Sequence, residues 1–236
     1  MDHERLFDLP GRTTVYTGCS RSGKGNTHRS CCSPMSKIDP SFGSWSHDMD
    51  ADDVRSVTFR RLHASGCFVM PNPWDPGSAR VLEQMGFKAL ATTSAGFAWT
   101  LGRADNQVTL DQALVHLRDI VAAVKVPVNA DFEGGFAVDP QHVAANVKLA
   151  AATGIAGLSI EDSTGEEASP LHDFDLAVAR VRAARRAIDE SGTGVVLTGR
   201  SEGFVCGRPD IDETIRRLRA YSEAGADCLY APRVDD

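Results

Sequence analysis

From Val54 onward, short apolar runs alternate with longer segments of helical period, a pattern typical of repeated strand-helix units. Such units form parallel sheets, because each helix returns the chain to the same end of the sheet. Six runs qualify as strands, and none alternates with polar residues, as expected when both faces are covered. These runs are residues 67–70, 89–92, 126–130, 156–160, 195–198 and 228–231.

The segments between these runs carry helix signals at both ends. Thr109 opens a capping-box pattern ahead of residues 110–124, and Asp139 precedes a proline at the first position of another helix. Residues 176–188 and 211–224 have amphipathic period, and we expect their arginines on the outer face. Four glycines stand where helices should stop, namely Gly86, Gly154, Gly192 and Gly225.

Composition indicates a soluble globular protein, with 42% hydrophobic and 24% charged residues among 236. The formal net charge of -7 gives no general electrostatic reason for binding nucleic acid or an anionic membrane. The chain shows no transmembrane run, no secretory signal and no CxxC pair among its six cysteines. We therefore expect a cytoplasmic protein with free thiols that acts on a small molecule.

Residues 1–53 are rich in Ser, Gly, Thr, Cys and Asp, with hardly any apolar periodicity. Such a segment buries little surface, so we predict a disordered polar extension ahead of a catalytic domain at 54–236. Nucleotide binding at residues 18–25 is a weaker alternative, because Gly25 replaces the hydroxyl of the pattern G-x-x-x-x-G-K-[ST]. A zinc cluster is weaker still, since its candidate ligands fit no standard spacing. Those ligands are Cys19, His28, Cys31 and Cys32.

Polar side chains follow nearly every predicted strand at its carboxyl end, where α/β barrels build their active sites. Several carboxylates and an arginine would therefore meet at one rim, an arrangement that suits a hard cation and an anionic substrate. We expect Asp75 mainly to cap the helix that begins near Pro76. The strand-end residues are Asp75, Ser94, Asp131, Glu133, Glu161, Asp162, Arg200, Glu202 and Arg233.

The rim candidates also have plainer structural interpretations. Asp131 and Glu133 could be solvated residues of a strand-helix turn, and Ser94 a satisfied turn hydroxyl. Arg200 could form a structural ion pair with a neighbouring glutamate, which does not exclude a role with substrate. The histidines fall on helices or loops away from the rim, so the sequence nominates none as a general base. They include His63, His116, His142 and His172.

Five motifs occur in a fixed order: ALATTSAGFAWTLGRADN, VPVNADFEGGF, GLSIEDS, VVLTGRSEGF and AGADCLYAPRV. Together they resemble the phosphoenolpyruvate mutase/isocitrate lyase superfamily, in its 2-methylisocitrate lyase-like branch, from about Phe59 to the last residue. The resemblance implies an α/β fold of the (β/α)8 TIM-barrel type, of which this chain carries about six βα units. It also implies a homo-oligomer.

The resemblance further implies Mg²⁺ as cofactor and a 2-oxo or 2-hydroxy carboxylate as substrate. Asp131 matches the principal metal carboxylate, and Arg200 matches the arginine that stabilises negative charge on the substrate. The full set is Asp131, Glu133, Asp105 and Glu161 for the metal, Ser94, Ala95, Gly96 and Arg200 for the substrate, and Arg200 with Glu161 for catalysis.

These matches predict a Mg²⁺-dependent lyase that cleaves a carbon-carbon bond through an enolate, with Arg200 and the metal stabilising the developing charge. Phosphonopyruvate hydrolase or phosphoenolpyruvate mutase-like activity is the alternative within the superfamily. The loop after IED reads STGEEASPLHD, without the catalytic cysteine of the KKCGH-like loop of the lyases. The chain ends at Asp236, two βα units short of the family barrel, so an inactive fragment is a further alternative.

Overall fold

Parallel strands joined by helices form one six-stranded sheet. The computed structural model describes residues 13–15 and 51–234. The strands are β1 (Thr13–Val15), β2 (Leu90–Ala91), β3 (Val128–Asp131), β4 (Gly157–Glu161), β5 (Val196–Arg200) and β6 (Cys228–Tyr230). The helices are α1 (Ala51–Leu62), α2 (Pro76–Gln84), α3 (Ser94–Thr100), α4 (Leu110–Ala123), α5 (Pro140–Ala151), α6 (Phe174–Ser191) and α7 (Ile211–Glu223). Across the sheet the order is β1-β6-β5-β4-β3-β2.

The register of the central strands aligns their carboxyl ends. Glu161 of β4 lies beside Arg200 of β5, and Ser159 lies between Asp131 of β3 and Thr198 of β5. Because side chains alternate between the two faces of a strand, these residues share the inner face of the sheet. The prediction of a parallel α/β fold of the TIM-barrel type is confirmed, and the described strands form a half-barrel.

The helix boundaries follow the sequence signals. Asp75 and Thr109 each form a capping box, and the side chain of Asp139 accepts hydrogen bonds from two backbone amides of α5. Each glycine predicted to end a helix has positive φ, the left-handed conformation that favours glycine. These are Gly86 (91°), Gly154 (83°), Gly192 (69°) and Gly225 (105°).

The prediction that the arginines of α6 and α7 lie on the outer face is wrong at two positions. Arg180 of α6 is 1% exposed and Arg217 of α7 is 7% exposed. Both guanidinium groups point between elements and find hydrogen-bond acceptors there. Burial of these guanidinium groups is tolerated because their terminal nitrogens donate to carbonyl or carboxylate oxygens.

The first strand of the sheet is not the one predicted. Residues 67–70 form no strand, although the carbonyl of Pro71 accepts a hydrogen bond from the Ala91 amide at 3.1 Å. Proline donates no amide hydrogen, and Pro71 and Pro73 limit the ladder here. Instead β1 pairs with β6, although it lies in the extension predicted to be disordered. The two alternative motifs of that extension lie outside the described residues.

Helix α1 closes the amino-terminal end of the half-barrel. Phe59, 1% exposed, packs in a cluster with Val196 and Cys228, the first residues of β5 and β6. A Cβ atom on Gly157 would lie 2.5 Å from Cε1 of Phe59, so glycine at the start of β4 leaves room for the ring. His63 contacts the same ring edge-on, with ring centroids 4.5 Å apart. Among residues 13–15 and 51–234, no helix has the length and apolar character needed to cross a membrane.

We expect Phe59→Ala to lower the free energy of unfolding by about 3–5 kcal/mol, because it removes a buried ring and leaves a cavity at the sheet's amino-terminal end. Val57→Ala on the same helix is the control, since Val57 is exposed. Denaturant unfolding of the two variants measures the difference. Equal costs would show that α1 does not close the barrel as described.

Candidate active site

Three adjacent strands end in charged side chains that meet at one rim. The Nη1 atom of Arg200 lies 3.3 Å from Oδ1 of Asp131, and its Nε atom lies 3.4 Å from Oε2 of Glu161. The same Nε–H group donates a hydrogen bond to Glu202. Arg200, Asp131 and Glu161 are all half-buried. The structure therefore brings together the acids and the arginine named from the sequence, and it also contains the structural ion pair considered as their plainer interpretation.

The segment expected to bind a substrate carboxylate lies against Asp131. The backbone amide and the hydroxyl of Ser94 both donate to Oδ2 of Asp131, each at 2.9 Å. Thr93 caps the start of α3 by accepting a hydrogen bond from the Gly96 amide at 3.2 Å. A Cβ atom on Gly96 would approach Trp74 to 2.6 Å, so glycine is required where the indole packs.

Glu133 lies in the loop after β3, in the left-handed conformation with φ of 47°. Arg180 holds this loop to the end of β4. Its guanidinium donates to the carbonyls of Gly134, Ala137 and Glu161, the last two at 3.1 and 3.2 Å. The Glu161 amide also donates to the Glu133 carbonyl at 3.1 Å. Arg180 therefore fixes the loop that carries one acid to the strand that carries the other.

The rim holds more negative than positive charge. Burial, followed by the charges of Asp131 and Asp105, raises the pKa of Glu133 from 4.5 to about 7. Burial raises the pKa of Glu161 well above its usual range, although the charge of Arg200 opposes this. Burial alone would lower the pKa of Arg200, but the surrounding carboxylates raise it overall. Clustered acids with raised pKa values favour a bound cation, which would relieve their repulsion.

Among the described residues, no three His, Cys, Asp or Glu side chains converge closely enough to hold a metal directly. Asp131 is engaged by Ser94 and Arg200, and Asp105 is exposed in the loop after α3. The four acids expected around the metal thus do not form one direct ligand shell. The donor set still fits Mg²⁺, because this ion keeps several waters and needs only one or two carboxylates.

A cavity of about 260 Å³ lies beneath the rim, inside the half-barrel. Asp105, Asp131 and Arg200 line its upper part, and Phe59 with His63 lines its lower part. A second groove of about 590 Å³ lies beside Glu133 and Glu161, under the loop that follows β4.

Two of the histidines that the sequence predicted to lie away from the rim border these spaces. His63 lines the inner cavity, and His172 lines the groove beside Glu161. Burial lowers the pKa of His63, and burial followed by the charge of Arg180 lowers that of His172 to about 4. Both rings are therefore neutral at neutral pH. Spacing along the sequence gave no signal for either contact.

Two further rim candidates, Asp162 and Arg233, line neither the cavity nor the groove. Asp162, 2% exposed, points away from the cavity into a buried network with Arg217 and Tyr221. Arg233 is exposed and has φ of 58°, the left-handed conformation in which glycine is favoured. Arg233 therefore occupies a backbone conformation that glycine adopts more easily. Its side chain lines neither the inner cavity nor the groove beside Glu161.

Comparison with known sequences agrees with this geometry. A family model of phosphoenolpyruvate phosphomutase matches residues 59–236. An uncharacterised protein of Mycobacterium tuberculosis is 32% identical over 182 residues, which cover 76% of this chain and 67% of that protein. The oxaloacetate decarboxylase of Pseudomonas aeruginosa is 28% identical over 196 residues, which cover 79% of this chain and 66% of the enzyme.

Solved structures extend the comparison. A lyase/mutase-like protein of Burkholderia cenocepacia is 47% identical with a TM-score of 0.78, over 79% of this chain and 68% of that one. 2,3-Dimethylmalate lyase is 30% identical with a TM-score of 0.69, over 77% of this chain and 63% of the lyase. Phosphonopyruvate hydrolase in complex with oxalate and Mg²⁺ is 25% identical with a TM-score of 0.71, over 77% and 64%.

Glu133→Gln should make the stability of the metal-free protein less dependent on pH. The folded-state pKa of Glu133 is about 7, raised from 4.5, so the unfolded chain releases this proton first. The stability that the proton contributes is complete below the unfolded pKa and is lost as pH rises through about 7. Between about pH 5 and about pH 8, wild type should lose about 1–2 kcal/mol more than Glu133→Gln, after discounting for solvent screening.

Denaturant unfolding in a chelator measures this difference. Glu166→Gln, at an exposed position of the next loop, is the matched control and should keep the wild-type pH dependence. Identical pH dependence in wild type and Glu133→Gln would contradict the assignment.

Arg180→Met should destabilise the fold by about 2–4 kcal/mol, because buried carbonyls lose their charged donor. Hydrogen exchange at the amides of residues 132–137 should also become faster, since the loop is released from β4. Arg182→Met is the control on the same helix, because Arg182 is exposed. The prediction fails if both variants unfold at the same denaturant concentration.

Proposed function

Because the chain belongs to the phosphoenolpyruvate phosphomutase family, within the phosphoenolpyruvate mutase/isocitrate lyase superfamily, we propose that it is a Mg²⁺-dependent lyase. Its substrate would be a small 2-oxo or 2-hydroxy carboxylate, cleaved at a carbon-carbon bond. The observation that carries this proposal is the half-buried Arg200 among the carboxylates of Asp131, Glu161 and Glu202 at one rim.

Asp131 would hold the metal, with Glu133 reaching it through water and Asp105 and Glu161 near its hydration shell. The chemistry that Mg²⁺ supplies when bound is Lewis-acid polarisation of a substrate oxygen. Two features of the chain support this donor set. Its oxygens are of the type that Mg²⁺ prefers, and the pKa of Glu133 is raised by burial and then by repulsion from Asp131 and Asp105, which a bound cation would offset.

Ser94 and Arg200 would bind the anionic substrate from two sides. Ser94 donates two hydrogen bonds to Oδ2 of Asp131, and both donors would turn to the substrate if a bound cation took over that oxygen. The backbone amides of Ala95 and Gly96 belong to the same segment and would complete the carboxylate site. Arg200 would stabilise the negative charge that develops on the substrate as the bond to C3 breaks and an enolate forms.

Glu161 would take part in proton transfer at the same rim. Its raised pKa favours a protonated carboxyl in the metal-free site, and it lines the groove beside the loop after β4. That loop contains no cysteine, so we do not assign a thiol to the reaction. The acid and the arginine are the two groups of the chain to which we assign the chemistry.

Phosphonopyruvate hydrolysis or phosphoryl migration is a second candidate. The specific observation in its favour is the TM-score of 0.71 with phosphonopyruvate hydrolase. Incubation with oxaloacetate, 2-methylisocitrate and phosphonopyruvate separates the candidates. Pyruvate or succinate release without phosphate supports the lyase, and phosphate release from phosphonopyruvate supports the hydrolase. No turnover of any of the three would favour an inactive chain.

The metal site can be tested without knowing the substrate. Oxalate mimics an enolate, so calorimetry should detect oxalate binding that depends on Mg²⁺. Asp131→Ala should weaken this binding by at least about 100-fold, because it removes the principal metal carboxylate. Asp111→Ala removes the same charge from an exposed position at the start of α4 and should change the affinity less than about twofold. Mg²⁺-dependent binding that survives in Asp131→Ala would refute the assignment.

A further inference from the structure

A buried network of three side chains lies behind the rim. Asp162, Arg217 and Tyr221, here called the Asp162 network, are 2%, 7% and 0% exposed. The Tyr221 hydroxyl donates to Oδ2 of Asp162 at 2.6 Å, and Nη1 of Arg217 donates to the same oxygen at 3.2 Å. The network joins Asp162, the residue that follows β4, to α7, which carries the other two residues.

The second oxygen of Asp162 reaches toward the site. Its Oδ1 accepts a hydrogen bond from the backbone amide of Glu202 at 2.7 Å. A buried carboxylate is costly unless it is fully hydrogen-bonded, and here both oxygens have partners. Burial and the charge of Asp162 raise the pKa of Tyr221, which keeps its hydroxyl protonated as a donor. Tyr221 and Arg217 thus fix one oxygen of Asp162, and the other oxygen fixes the backbone of Glu202.

Glu202 passes this constraint to Arg200. Its carboxylate, only 4% exposed, accepts the Nε–H of Arg200, while Nη1 of Arg200 faces Asp131. A guanidinium group is planar, so fixing Nε sets the direction of its terminal nitrogens. Tyr230 supports the group from one side, with its ring centroid 5.3 Å from the guanidinium carbon.

We propose that Asp162, anchored by Tyr221 and Arg217, is a positioning residue that fixes Glu202 and thereby orients Arg200 toward the metal and substrate positions. The inference rests on the proposed function for its catalytic meaning. The three residues of the network line neither the inner cavity nor the groove beside Glu161, so they act through other residues rather than on the substrate.

Tyr221→Phe is the sharpest probe, because it removes one hydroxyl and keeps the ring that packs against Gly199. Thr214→Val is the matched control. It deletes a buried hydroxyl on the same helix, one that donates to the Asp210 carbonyl at 2.8 Å rather than to Asp162. We expect both variants to lose a similar free energy of unfolding. A difference between them in the Arg200 measurements below therefore shows that Arg200 has lost its position.

The first measurement needs no ligand. Nitrogen-15 NMR of arginine side chains follows the Arg200 Nε–H, assigned by its loss in Arg200→Lys. We expect its exchange with solvent to become at least about threefold faster in Tyr221→Phe, since one lost hydrogen bond loosens its acceptor. Thr214→Val should leave the rate unchanged. An unchanged rate in Tyr221→Phe would overturn the proposal.

The second measurement uses Mg²⁺ and oxalate as the probe. Tyr221→Phe should weaken oxalate binding about three- to tenfold, and this effect should vanish when Glu202→Gln is already present. An equal effect in both backgrounds would overturn the route through Glu202. If wild type does not bind oxalate at all, the proposed function fails, while the NMR measurement still decides the positioning role of Asp162.

Discussion

The rim depends on one half-buried guanidinium, that of Arg200, placed among carboxyl groups at the ends of adjacent strands. Without Arg200, the carboxyl groups of Asp131, Glu161 and Glu202 would lie close together at the carboxyl end of the sheet with no positive charge between them. With it, each carboxylate has a partner at 3.4 Å or less. Because the net charge of the cluster is still negative, the same arrangement that stabilises the protein without metal leaves it attractive to a cation.

The parts of the fold that could be predicted are those set by local chemistry. Parallel strands, helix caps and the glycine stops follow from residues close together in sequence, and the convergence of Asp131, Glu161 and Arg200 follows from the rule that strand ends share an edge. Helical periodicity failed for Arg180 and Arg217, because it reports which face turns inward but not which distant carbonyls and carboxylates lie there. For the same reason, the spacing of residues did not predict that His63 lines the cavity or that His172 lines the groove.

The sequence also did not predict which segments form the first strand of the sheet. Residues 67–70 have a suitable composition but form no strand, and the neighbouring backbone hydrogen bond to β2 comes from Pro71. Three residues from a polar segment pair with β6 instead. Pairing depends on which edge is open and which segment can reach it, and neither property is written in a short run of sequence. The resemblance to the family could be seen in the sequence because its motifs coincide with the strand ends that carry the rim residues.

The pairing of β1 with β6 ties the first described segment of the chain to the last strand of the sheet. Strand β6 also carries Tyr230, whose ring lies beside Arg200. Removing residues 1–50 would expose the backbone amides and carbonyls of β6 that now pair with β1. An exposed strand edge of this kind can pair with the strand edge of another molecule. The protection of this sheet edge and the surroundings of Arg200 are thus linked through β6, which pairs with β1 and carries Tyr230.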